Sequence, residues 1–230
     1  MDIAQLLASM ALEVHDQPTP QDTVDRIGYF ARDAVAGDDA GILLSVARRE
    51  ITTIAATSDR VQEAHASQAA TNEGPCLDSI YEGAPTYRCN DTSSDPRWPV
   101  WGPLAKDLGV RSVVSVRLAT NDRKLGSLNV YASRPDAFSS EDANALEFLA
   151  AHASVAIATA LHGEQLLAAL DSRTVIGQAQ GMLMVTFGLT AEGAFLYLRR
   201  ISQDSNRKLA AIAQEIVDDP KRLRAHLPDR

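Results

Sequence analysis

From Ser139 to Phe187 the chain runs without a proline, and its apolar residues recur three and four apart. A stretch of that length with that period has one regular solution, a long helix. Ser139 and Asp142 stand at capping-box distance where it begins, and Gly188 follows as a C′ residue. Positions 146, 149, 153, 156, 160, 163, 167, 170 and 174 read Leu, Leu, Ala, Ala, Ala, Gly, Leu, Leu, Thr. Large side chains stand only at the two ends of that line. From Leu146 to Ile157 the line suits either packing on its own domain or a partner helix. Beyond Leu161 no sheet is left to cover, so Leu166, Leu167 and Leu170 require a partner. A second copy of the same helix, in parallel, is the simplest one, and a homodimer is expected.

The last quarter, Ser172 to Val217, reads as three short helices. The first carries Ile176, Ala179, Leu183 and Phe187. Thr190 is placed to cap the second, with Ala194, Leu198 and Ile201 on its apolar line. Ser205 is placed to cap the third, which buries Leu209, Ile212, Ala213 and Ile216. Helices this short are marginal alone, so their stripes must share one small core. Off those stripes fall Arg173, Gln180, Arg199, Arg200, Asn206, Arg207 and Lys208. Scattered charges usually form a solvated face, but Arg199-Arg200 and Arg207-Lys208 flank one inter-helix turn and so converge.

The run Arg173-x-x-Ile176-x-x-Ala179-x-Gly181-x-Leu183-Met184, then Ala194-x-x-x-Leu198-Arg199, then Ser205-Asn206-x-Lys208-Leu209-x-x-x-Ala213 resembles an ANTAR domain. That is the RNA-binding output module of bacterial transcription antiterminators. The chain departs from the family pattern at Gln180, where Lys is frequent, at Ile201, where Ala is usual, and at Asp204. The resemblance implies binding of paired hairpin loops in nascent leader transcripts, one hairpin per module. Arg199, Arg200, Arg207 and Lys208 suit phosphates, while Gln180, Ser205 and Asn206 suit bases or sugars and Arg173 either.

Towards the N-terminus, Ile3, Leu6, Leu7, Met10, Ala11 and Val14 mark an amphipathic helix over residues 3–15. A second helix starts from a Thr19 cap with Pro20 at its first position. Residues 41–47 and 51–57 read as a hairpin around Arg48-Arg49-Glu50, and residues 58–70 as a helix with little apolar periodicity beyond Val61. Ser112–Leu118 and Leu125–Tyr131 alternate cleanly around Asn121-Asp122 and predict two paired strands with one apolar face. Short strands, hairpins and interspersed helices imply an antiparallel α+β domain. Asn72-Glu-Gly-Pro-Cys-Leu77, Gly109-Val-Arg-Ser-Val-Val-Ser-Val116 and Gly126-Ser-Leu-Asn-Val130 resemble a GAF domain, as does the helix after Phe138-Ser-Ser-Glu-Asp142. The expected organisation is a GAF-like sensor over residues 1–162 and a connecting helix over 139–187 that both domains share. An all-α ANTAR module over 172–217 and a tail over 218–230 complete it.

Charge is distributed unevenly. The formal net charge is −8, yet residues 1–170 hold 13 Lys/Arg against 23 Asp/Glu, and residues 171–230 hold 9 against 7. RNA binding therefore rests on local clustering, and DNA is not an expected partner. No basic leader opens the chain and no apolar run approaches about 20 residues, so a cytoplasmic protein without membrane contact is expected. Cys76 and Cys89 make neither a disulfide framework nor a metal set. His15, His65, His152, His162 and His226 are scattered, so no catalytic or metal-ligating residue is nominated. Cys76, Tyr81, Tyr87, Trp98 and Trp101 either line a small-molecule pocket of unknown ligand or form plain core; no cofactor is implied. The leading reading is a signal-responsive antitermination regulator. The competing one is a signalling adaptor that works through protein contacts. A GAF-type methionine sulfoxide reductase is a remote third, because two cysteines lack a resolving arrangement.

Overall fold

The computed structural model describes residues 3–46 and 50–220, with the side chains of residues 3, 4 and 164–167 outside that description. The hairpin turn at Arg48-Arg49, the side chains of Leu166 and Leu167, and the tail from residue 221 fall outside it. The chain divides into two compact units, Met1–Leu161 and His162–Arg230.

The first unit is built on five antiparallel strands in the order β2-β1-β5-β4-β3. They are β1 (Asp39–Ser45), β2 (Ile51–Ala56), β3 (Thr86–Cys89), β4 (Ser112–Ala119) and β5 (Lys124–Ala132). Against one face lie α1 (Ile3–His15), α2 (Pro20–Ala34) and the first half of α6 (Ser140–Phe187). Against the other lie α3 (Asp59–Thr71), α4 (Pro75–Tyr81) and α5 (Trp101–Asp107). Thr19 caps α2 as its sequence demands, its Oγ1 accepting from Asp22 N at 3.1 Å.

Covering both faces changes the meaning of the strand alternation. Val114, Val116, Leu118, Leu128 and Val130 enter an aliphatic layer with Ile27, Ile42, Leu146 and Leu149. The intervening Ser115, Ser127, Asn129 and Tyr131 are just as buried, on the opposite face. The two strands present one apolar face as expected, and their other face is enclosed as well, because α3, α4 and α5 roof over it. Its polar strand residues are enclosed and must find partners there.

Along the long helix the structure decides between the two alternatives left open for Leu146 to Ile157. Leu146, Leu149 and Ala153 are fully buried against the sheet of their own unit and are closed to a partner helix. Aliphatic strand residues offer them the nearest apolar surface, and burying each leucine is worth about 1.5–3 kcal/mol. One window of α6 reaches a mean hydropathy of 1.3 and meets the length and composition of a membrane span. Its Leu146–Ile157 stripe, packed on the sheet, accounts for much of that hydropathy without a bilayer. The helix opens as its capping box requires, with Ser139 Oγ accepting from Asp142 N at 3.1 Å and Ser139 N donating to Asp142 Oδ2 at 2.8 Å.

In the second unit the end of α6 packs with α7 (Ala191–Ser205) and α8 (Leu209–Asp218). Val175, Ala179, Leu183, Ala194, Leu198, Ile212, Ala213 and Ile216 form the common core. Gly188 ends α6 at φ +65°, a conformation that glycine adopts without cost, and Thr190 Oγ1 accepts from Gly193 N at 3.1 Å to start α7. Ser205 does not cap α8. It is the last residue of α7, and its Oγ donates to Ile201 O at 2.6 Å. Asn206 takes the left-handed conformation at φ 51° and ends α7. Lys208 then occupies the N-cap position of α8 without a side-chain cap.

Candidate functional site

The enclosed polar face of the sheet gathers residues from five elements. His65 and Gln68 come from α3, Cys76 from α4, Thr53 from β2, Ser115 from β4, and Ser127, Asn129 and Tyr131 from β5. His65 Nδ1 lies 3.0 Å from Thr53 Oγ1, and Asn129 Nδ2 lies 3.4 Å from His65 Nε2. With an amide donor at Nε2, the neutral ring keeps its proton on Nδ1, toward the threonine. Cys76 Sγ is surrounded by Gln68 Nε2 at 2.9 Å, Tyr131 OH at 3.2 Å and Ser115 Oγ at 3.4 Å, while Gln68 Oε1 accepts from Cys76 N at 2.9 Å. Ser127 Oγ and Asn129 Oδ1 are buried without a hydrogen-bond partner. Such orphaned atoms are rare in a native interior, and two of the three found among the described residues lie on this face, the third being Ser58 Oγ.

Space on that face is tight. A Cβ built on Gly41 would meet Val61 Cγ1 at 2.5 Å and His65 Cε1 at 2.8 Å, so only glycine admits the α3 roof so close to β1. Burial pushes His65 down to about 3, below the value near 6.5 of an unfolded histidine. The unfolded chain therefore binds a proton between about pH 3 and 6.5 that the folded chain refuses. Stability from this group is complete above pH 6.5 and is lost as pH falls toward 3, with a slope of up to about 1.4 kcal/mol per pH unit. Urea midpoints between pH 7 and pH 5 should fall in the wild type and be flatter in His65→Gln; equal slopes in the two would remove His65 as the cause.

Of the two arrangements open to Cys76, Tyr81, Tyr87, Trp98 and Trp101, a ligand pocket or plain core, the five share one core cluster. Cys76 and Trp101 are completely buried and Trp98 is 1% exposed, with Tyr81 and Tyr87 packed partly buried against them. Trp98 and Trp101 meet edge to face at 6.0 Å, and Tyr87 meets Trp98 at 6.3 Å. Their ring nitrogens are satisfied internally, Trp98 Nε1 by Asp78 Oδ2 at 2.7 Å and Trp101 Nε1 by Ser67 Oγ at 3.0 Å. Burial raises the Cys76 thiol, and burial followed by the Asp95 charge pushes Cys89 up to about 12. A thiol is nucleophilic only as thiolate, so neither cysteine is prepared for sulfoxide reduction. The polar layer centred on His65, Gln68 and Asn129 escaped sequence reading because its helix lacks apolar periodicity.

A separate groove of about 630 Å³ opens between α1, the residues leading into α2, and α6. Met10, Ala11 and Val14 form one wall, and His152, Val155 and Thr159 the other.

In the second unit the expected RNA-binding residues gather at the α7–α8 turn, at the outer face of α7 and along α6. Arg173, Arg199, Ser205, Asn206 and Lys208 are exposed, and among the described residues Arg173, Arg199 and Lys208 enter no ion pair. Arg200 is also exposed but lies 3.7 Å from Asp204, one turn along α7. Arg207 is held by Glu215 of α8, with Arg207 Nη1 at 3.1 Å from Glu215 Oε2. The turn itself is fixed by Ser202, whose Oγ donates to Arg207 O at 2.5 Å and whose carbonyl accepts from Arg207 N at 3.1 Å. Gln180 is half-buried and donates its amide to Ala191 O at 3.1 Å, so it ties α6 to the start of α7.

Comparison with known proteins agrees with this architecture. The GAF domain model matches residues 17–158, and the ANTAR domain model matches residues 164–217. No curated protein matches the chain significantly. Among solved structures, the GAF domain of an Acinetobacter phosphoenolpyruvate-protein phosphotransferase is similar at TM-score 0.56 and 18% identity, covering 72% of this chain and 99% of that one. The corresponding domain from Coxiella burnetii gives TM-score 0.56 at 16% identity, over 72% and 98% of the two chains. A phycoerythrobilin-bound GAF domain of a cyanobacterial phytochrome gives TM-score 0.56 at 14% identity, over 71% and 98%. At these identities the likeness speaks for the fold alone. The chain belongs to the GAF domain family, with an ANTAR domain, the RNA-binding module of antitermination regulators, as its C-terminal unit.

Proposed function

We propose that this protein is a cytoplasmic, signal-responsive regulator that binds two hairpins of a nascent leader transcript as a homodimer, one on each ANTAR module, and so keeps a terminator from forming. The observation that carries this reading is the ANTAR match over residues 164–217, whose surface presents Arg199 and Lys208 without an acidic partner among the described residues. The sensor's input is read at the buried polar layer of Thr53, His65, Cys76, Ser127 and Asn129. A change in how α6 packs on the sheet passes along one helix, uninterrupted by proline, to the output module.

The mobility of a two-hairpin leader RNA in a native gel tests the reading. Retardation at low salt, reduced by salt, supports it. No retardation, with and without cell extract as a source of the signal, favours the adaptor working through protein contacts.

The ion pairs sharpen which cations matter. Lys208→Gln is expected to lower the dependence of log affinity on log salt by about 1 unit, the loss of one phosphate contact. Arg207→Gln is expected to change it less, because Glu215 already offsets that charge. Titration from about 50 to 200 mM salt measures both slopes, and an unchanged slope in Lys208→Gln would remove that residue from the phosphate-binding set.

The homodimer is proposed along a different line of α6 from the buried one. Phe148, His152, Val155, Thr159 and His162 advance by 4, 3, 4 and 3, a heptad seam. Phe148 is 47% exposed, Val155 64% and, further along, Leu170 51%. No charged residue occurs between Glu147 and Glu164, so two copies in parallel meet there without opposed like charges, and the groove beside α1 widens the apolar contact.

A further inference from the structure

Of the three Phe, Tyr and Trp residues in the ANTAR unit, Phe187 and Tyr197 pack against each other at 6.5 Å and against the core. Phe195 does not. It is 37% exposed, its neighbour Leu196 is 44% exposed, and neither belongs to the core cluster that holds α6, α7 and α8 together. Single exposed apolar residues are ordinary, but the context of these two is specific. On a helix, residues four apart lie one above the other, so Phe195 stands one turn before Arg199 and Leu196 one turn before Arg200. The outer face of α7 therefore repeats one device twice: an exposed apolar surface followed along the axis by a guanidinium. The core gains little from it, and an ordinary surface helix would carry Lys, Glu or Gln there.

We propose that Phe195 is a stacking platform for one unpaired base of the bound RNA, with Arg199 on the adjoining phosphate. This deepens the RNA-binding reading above and rests on it. Loop bases that have left the helical stack present a bare π-face, which an aromatic ring covers and water solvates poorly. The charge complementarity is local: Arg199 is exposed and enters no ion pair among the described residues, so it is available to the backbone on either side of a base seated on the ring. Leu196 extends the apolar surface under the ribose or the neighbouring base, and Arg200, only loosely held by Asp204, is the second cation.

The test uses the full-length protein and a two-hairpin RNA in which 2-aminopurine replaces the loop adenines one at a time. Wild-type protein is expected to quench or enhance the fluorescence at one loop position on binding. Phe195→Ala should abolish that signal and weaken binding by about 5- to 150-fold per engaged module, the 1–3 kcal/mol of one stacked base, with the salt slope unchanged. Phe195→Tyr should restore the signal. Arg199→Gln should keep the signal and lower the slope by about 1. Because Phe195 is outside the core, matched melting midpoints are expected for Phe195→Ala and wild type. Wild-type affinity and fluorescence in Phe195→Ala would overturn the proposal. So would a changed sedimentation coefficient of that variant without RNA, which would place Phe195 at a protein contact. If the wild type itself fails to bind RNA, the RNA reading fails first.

Discussion

Replacing Trp101 with alanine is expected to lower the stability of the sensor unit by about 3–5 kcal/mol, a large share of the 5–15 kcal/mol typical of a whole domain. The ring has no solvent exposure and packs edge-on against Trp98. Removing it leaves a cavity bounded by residues that several hydrogen bonds hold in place. Ser67 Oγ loses the indole donor at 3.0 Å. Glu73 Oε2, which accepts from Val100 N at 2.8 Å and Trp101 N at 3.1 Å, anchors the entry to α5 and keeps the backbone from following the lost side chain inward. Collapse is thereby hindered and the cost sits at the upper end. Trp101→Phe keeps most of the volume and is expected to cost less than half as much. Urea unfolding followed by circular dichroism gives both numbers. A loss below about 1 kcal/mol in the alanine variant would mean that the ring lines an open pocket after all, since truncation toward solvent leaves no cavity.

That pair of tryptophans shows where sequence reasoning stops. Spacing put Trp98 and Trp101 beside Tyr87 and Cys76, and left pocket and core equally open. What separates the two is whether each indole nitrogen finds an internal acceptor, and Ser67 and Asp78 are supplied by segments 34 and 20 residues away. The strands were legible because their period is 2, but the same period hid the polar layer. Ser115, Ser127 and Asn129 look like solvent-facing positions until α3 and α4 are known to cover them. His65 and Gln68 lie on a helix of small and polar residues that no apolar pattern announces, because the face they meet is itself polar.

The long helix was legible at both ends from Ser139, Asp142 and Gly188, while its working face was not. Between Leu146 and Leu161 most positions are apolar, with Phe148, Val155 and Ile157 among the alanines and leucines, so several lines with 3 and 4 spacing coexist. The sheet takes the line with Leu146 and Leu149, and the line with Phe148 and Val155 stays exposed. At the α7–α8 turn, Ser205 suits a cap by type, but Asn206 tolerates the left-handed conformation that ends the preceding helix, and the N-cap position of α8 falls three residues later, at Lys208.

Val155→Glu is the decisive variant for the dimer and has the largest expected effect on RNA. Val155 is 64% exposed and lines the groove beside α1, so a glutamate there is solvated in a single chain and leaves the fold intact. In a parallel pair the two substituted carboxylates would face each other across an apolar seam. Opposed like charges and the desolvation of two carboxylates far exceed what one valine contributes. Sedimentation is expected to show a dimer for wild type and a monomer for Val155→Glu at micromolar concentration, with equal melting behaviour of the sensor unit at low protein concentration. Two linked modules gain about 10²–10⁴ in avidity over one, so affinity for a two-hairpin RNA should fall by that factor. Affinity for a single hairpin should stay the same, because each module's own surface, from Arg173 through Lys208, is untouched. A monomeric wild type would dispose of the seam. A monomeric variant that still bound two-hairpin RNA as tightly as wild type would show that one module reads both hairpins.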